Sequence, residues 1–305
     1  MKTFRLRNLL TLSLALSLLL AAANFTESSA QRRKQPPRKS FAGTALFVIS
    51  GDEGSTQEYG MDALALFDKG KFVDPVVDGD GSGMKPFAEK YFQTGRRYRL
   101  LFGGGELGSA TVRSSGEGCN TIHSKVSLEG ANKIGGRIYA LATDSETLGK
   151  RASSRRALTA EEREAVMKLV KSIYLQHKTS AVLMRSLKVG NLTATDLDGD
   201  GQFEVVGDFR IEASPNSLTG ARRDLFLIAS PSGQGFKAEL ANFQAYRKVD
   251  DFGRGVSFVD QLDIDGDGTG EVITINEGYD GYGYSIYKKR GGAWRMVYNV
   301  TGDAC

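Results

Sequence analysis

The chain has 305 residues and a formal net charge of +4, long enough for one large domain or two small ones. Its positive charge lies at one end: residues 1–30 carry three basic and one acidic side chain, residues 31–40 carry five basic ones, and the rest sums to −3. That balance argues against a basic nucleic-acid-binding body, so no nucleic-acid partner is expected.

In chain order, MKTFRLRN, the apolar LLTLSLALSLLLAAA and the polar ESSA read as a secretory signal peptide, 1–30, with the cut expected after Ala30. The apolar run is short for a membrane span, so no transmembrane segment is expected in the mature form. The protein is therefore expected to be secreted, periplasmic or cell-envelope-bound. Residues 31–40, with Arg32, Arg33, Lys34, Arg38 and Lys39 around two prolines, read as a basic extended linker. Cys119 and Cys305 are the two cysteines, and a secreted chain can pair them. Sequence supplies no Cα separation, so a Cys119–Cys305 disulfide and two separate thiols both stand.

From 41 to 150 the pattern predicts a β-rich region, with strand-like runs at Ala45–Ser50, Ala63–Phe67, Tyr98–Phe102 and Arg137–Ala142. GGGELG at 103–108 matches a dinucleotide-loop spacing, and Glu129 lies in range of a ribose. The β-branched SATVRSS that follows predicts a glycine-rich β-turn instead, because the dinucleotide loop needs a helix N-terminus. SETLGKRASSRRA marks a boundary, and 151–305 reads as a helix plus a repeated β pattern. Thr159 and Glu162 make a capping box, and Val166, Leu169, Val170 and Ile173 line one helix face.

Four strands are then predicted twice, each set opening on an acidic loop. DLDGDGQFE begins at 196 and DIDGDGTGE at 263, 67 residues later. Asp196, Asp198, Asp200 and Glu204 recur as Asp263, Asp265, Asp267 and Glu271. Glycines at 199, 201, 266 and 268 let each loop curl about one point, towards which the alternate carboxylates converge. Converging carboxylates repel unless a cation sits among them. Oxygen-only ligands in a flexible loop favour Ca2+ over Mg2+, and no His or Cys is near for zinc or copper. The backbone carbonyls of Gln202 and Thr269 stand where a main-chain ligand is expected. An EF-hand would need an acid at its twelfth position, where Gly207 and Thr274 stand.

This pattern, D-x-D-G-D-G-x-x-E running into a strand, resembles the calcium loops of the FG-GAP/VCBS repeat family. The resemblance spans about 185–305 and implies blade-like four-stranded antiparallel repeats with structural calcium. A seven-bladed propeller does not fit: 305 residues cannot hold seven repeats of 67. The fold expected is mainly β with one clear amphipathic helix and antiparallel sheets. A weaker acidic stretch, Asp78, Asp80, Ser82, Gly83 and Glu89, fits part of an EF-hand spacing; Lys85 and Pro86 interrupt it.

No catalytic motif stands out, and His123 and His177 stand apart. The functional expectation is a secreted, non-enzymatic binding or scaffold module with an unidentified protein or carbohydrate partner. The alternative is a secreted hydrolase or lyase with its site in the N-terminal region and the repeats as an accessory. Tyr279, Tyr282, Tyr284, Tyr287 and Trp294 are expected either in the core or on a binding surface, with alternation favouring the core.

Overall fold

The computed structural model describes residues 41–51, 59–75, 83–118, 121–130, 138–212, 222–246, 255–278 and 281–304. The signal peptide, the basic linker, both cysteines, the carboxylates of the 78–83 stretch and Tyr279 lie outside these residues.

The N-terminal strands are β1 (Thr44–Gly51), β2 (Tyr59–Asp68), β3 (Lys71–Val73), β4 (Arg97–Phe102), β5 (Gly105–Glu117), β6 (Ile122–Glu129) and β7 (Ile138–Thr143). Their order is β1-β7-β4-β5-β6-β2-β3, and β1 also pairs with β2, so six strands close into an antiparallel barrel. Closure removes the open edges that would otherwise template aggregation. Alternation explains the lining: Ala45, Phe47 and Ile49 of β1 face the barrel interior, while Leu46 and Val48 face outward into a second core. The glycine-rich decoy is the β4–β5 hairpin turn, with Gly103 and Gly104 at φ 61° and 78°.

A short helix, α1 (Met84–Tyr91), was not legible, because Pro86 reads as a breaker. Pro86 sits in the first turn, where its missing N–H has no helical partner to lose. Phe87 and Tyr91 of α1 pack on Phe47 of the barrel interior.

The predicted amphipathic helix is α2 (Ala160–Gln176), with the Thr159/Glu162 capping box formed in both directions. Arg156 adds a bidentate ion pair to Glu162, at 2.8 and 2.7 Å. Thr159→Ala is expected to cost about 1 kcal/mol, read as a lower urea midpoint at constant m-value.

The eight C-terminal strands form two antiparallel meanders. One is β8 (Lys188–Thr195), β9 (Glu204–Glu212), β10 (Arg222–Ser232) and β11 (Gly235–Tyr246). The other is β12 (Gly255–Leu262), β13 (Glu271–Glu277), β14 (Gly281–Arg290) and β15 (Ala293–Ala304). These are the two four-stranded repeats expected.

The two sheets stack face to face. Val206, Phe226 and Ile228 of the first meet Phe258, Val272, Tyr287 and Trp294 of the second. The outer face of the first sheet takes α2 through Val166, Val170, Ile173 and Tyr174. The outer face of the second takes the barrel: Ile273, Ile275, Tyr284 and Ile286 pack against Leu46, Val48, Leu64 and Leu141. The layers run helix, sheet, sheet, barrel. Both apolar faces of the stacked pair are covered, so further blades are not needed to bury them.

The segment Arg151–Arg156 threads between these layers. Arg155 lies between the rings of Phe102 and Phe258, at 4.8 and 4.7 Å, and donates to the Val259 carbonyl. It also faces Asp260, which is fully buried and accepts the Gly103 N–H at 3.0 and 2.9 Å. One buried carboxylate thus joins the second sheet, the barrel turn and the connecting segment.

Candidate metal centre

Each acidic loop links the first two strands of its sheet, and the two adopt the same conformation. Leu197 and Ile264 donate their N–H to Glu204 and Glu271, at 2.9 and 2.8 Å. Gly199 and Gly266 donate to the first oxygen of Asp196 and Asp263, at 2.7 and 2.9 Å. Gly201 and Gly268 donate to the second oxygen, at 3.1 and 3.2 Å. Gln202 and Thr269 donate to Asp200 and Asp267, at 2.7 and 2.9 Å. Gly199 and Gly201 hold φ of 75° and 84°, and Gly266 and Gly268 hold 77° and 95°; a side chain would be strained there.

The loops lie side by side. Gly270 N–H donates to the Leu197 carbonyl at 2.6 Å. Arg151 donates to the Gly268 carbonyl at 3.0 Å, and its guanidinium lies 3.9 Å from Asp263. A cavity of about 190 Å³ between them is lined by Gly104, Arg151, Asp196, Gln261 and Asp263, among others.

Carboxylate oxygens of Asp196, Asp198 and Glu204 gather within 4.8 Å of one another in the first loop, as do those of Asp263, Asp265 and Asp267 in the second. Asp200 is drawn aside: its second oxygen accepts the Gln202 side-chain amide at 3.1 Å. One oxygen of Asp198 is buried with no hydrogen-bond partner among the described residues. Burial pushes the Glu204 carboxyl up to about 7, against the pull of the Leu197 N–H and with Asp198 adding to the rise. Burial likewise pushes Glu271 up to about 7, opposed by the Ile264 N–H and by Lys288. Lys288 opposes that rise at Glu271, whereas at Glu204 the opposing groups are backbone N–H donors.

The loops differ in one side chain that sequence reading missed. Lys288, on β14, places its Nζ 2.5 Å from Asp265, 2.7 Å from Asp267 and 2.9 Å from Glu271. Burial alone would lower the Lys288 pKa, but the three carboxylates hold it above the ordinary lysine range. Lys288 hydrogen bonding in turn holds Asp267 below the usual aspartate range. Lys288 is 17 residues beyond Glu271, and only strand register brings it back. Alternation in YSIYKKR was the one local hint of its facing.

The aromatic run is largely interior. Tyr282 and Tyr284 donate their hydroxyls to Asp62 of β2, at 2.9 and 2.7 Å, docking the second sheet on the barrel. Tyr287 and Trp294 are buried between the sheets. His177 stacks on Phe243 at 3.9 Å, and His123 lies on β6 in register with Asp62. Among the described residues, no helix is long and apolar enough to cross a membrane.

Comparison with protein-family models, curated proteins and solved structures finds no match to this chain.

Proposed function

We propose that this is a secreted or envelope-associated, calcium-stabilised β-repeat protein of the FG-GAP/VCBS kind, serving as a non-enzymatic binding or scaffold module. The observation that carries the calcium reading is the first loop's buried Asp198 oxygen, which has no hydrogen-bond partner among the described residues and lies with Asp196 and Glu204. All the groups offered there are oxygens, and the loop is built from turns that adjust to a large ion. Calcium tolerates that irregular geometry, whereas magnesium demands near-ideal octahedral sites and holds its waters.

In this reading the ion is structural. It neutralises the loop that enters the first sheet, and its binding free energy becomes folding free energy. The sheets and barrel then form a rigid body that presents its outer surface to a protein or carbohydrate partner. Calcium titration by calorimetry tests this. The expected result is saturable binding in the range of extracellular modules, about 10⁻⁴–10⁻³ M. Asp198→Asn should weaken it at least tenfold while the far-UV spectrum is unchanged. Absence of calcium binding by the intact protein would sink the reading.

A further inference from the structure

We infer that Lys288 is the resident cation of the second acidic loop, so that the chain takes up one calcium ion, at the first loop, and not two. This rests on the calcium reading of the first loop.

The two loops share four backbone-to-carboxylate hydrogen bonds, so their conformation does not distinguish them. Their charge environment does. An ammonium has three N–H donors. Lys288 directs them at three separate carboxylates, Asp265, Asp267 and Glu271, from a side chain only 10% exposed. Those are the acids a divalent ion would need. Calcium could enter only by driving the ammonium out of a buried position or by sitting beside a like charge, and both oppose binding.

Strand register explains why one repeat has this device and the other lacks it. In the second sheet Val272 is opposite Tyr287, so the next pair outward is Glu271 and Lys288. In the first sheet Val205 is opposite Ala229, so the next pair outward is Glu204 and Ser230. A short hydroxyl stands where the second repeat carries an ammonium. The following lysine, Lys289, does approach the first loop, but its Nζ is held by Glu239 at 2.8 Å. Its charge reaches Asp198 and Glu204 through space, without a contact to either that would fill the site.

The test is a reciprocal exchange, with bound calcium counted by equilibrium dialysis of the full chain at about 10 mM calcium, about tenfold above the upper end of extracellular module affinities. Wild type is expected to hold one ion. Lys288→Ser, which copies the first repeat, should raise the count to two. Ser230→Lys, which copies the second, should reduce it to none while the protein stays folded by circular dichroism. Two ions on wild type would overturn this inference and leave the calcium reading standing. No ion on wild type but one on Lys288→Ser would overturn the first-loop calcium reading, and the count of one with it, and leave Lys288 as the cation of the second loop. An unchanged count in folded Lys288→Ser, or a retained ion in Ser230→Lys, would overturn the inference. Should Lys288→Ser fail to fold, Ser230→Lys decides.

Discussion

Chelation is expected to lower the melting temperature by about 5–11 °C, and added calcium to restore it. A ligand that binds only the folded state adds about 2.7 kcal/mol at a hundred times its dissociation constant, which is about 10–100 mM calcium for the affinities expected. For domains of about 150–250 residues each kcal/mol moves the midpoint by about 2–4 °C. The effect originates in the first loop, where Asp196, Asp198 and Glu204 converge and the nearby Lys289 is held by Glu239. Scanning calorimetry with and without EDTA, at fixed ionic strength, reads it. Asp198→Asn should lose about half of this difference or more, since a tenfold weaker site at the same calcium concentration adds about 1.4 kcal/mol at most. Asp267→Asn should melt lower in both, because it breaks the Lys288 contact, yet keep the chelator response. Magnesium at the same concentration should restore little. An identical melt with and without EDTA for the wild-type protein would remove calcium from the account.

Asp260→Asn is expected to cost about 3–5 kcal/mol, the usual loss when one partner of a buried ion pair is removed. Asp260 is wholly buried, and its pair Arg155 has a side chain only 11% exposed. The substitution leaves the guanidinium uncompensated between Phe102 and Phe258. It also weakens the acceptor of the Gly103 N–H, which ties the barrel turn to the second sheet. Urea unfolding should show a large fall in midpoint. Adding Arg155→Met should recover part of the loss, because no unpaired charge then remains. A loss below about 1 kcal/mol would mean that the pair is not critical to the junction.

The same residue predicts a pH dependence. Full burial pushes the Asp260 carboxyl up to about 6, with Arg155 pulling the other way. An aspartate in the unfolded chain titrates near about 3.9. Between these values the folded state holds a proton that the unfolded chain has released. The Asp260 contribution to stability therefore falls as pH rises from about 4 to about 6 and is level above that. Asp260→Asn should abolish that component of the pH profile.

Local chemistry is what the sequence exposed. The capping box of α2, the eight strands of the two repeats and the doubled acidic loop each depend on residues a few positions apart. Their periodicity and glycine placement were therefore visible directly. Four of the barrel strands were legible as apolar runs, but β5 is broken by glycines and β6 alternates apolar with polar residues, so neither was marked out. Pro86 hid α1 because its position within the first turn is known only once the helix is placed.

The amino-acid sequence by itself determined the β-rich class, the internal repeat and the ten candidate metal-loop residues. Only the tertiary structure decided that six strands close into a barrel, that the tyrosines dock on Asp62, and that the two loops are unequal. Barrel closure and the reach of Lys288 are set by which strands become neighbours and in what register. That pairing is a property of the packed whole, in which residues 17 or 222 positions apart come within hydrogen-bond distance.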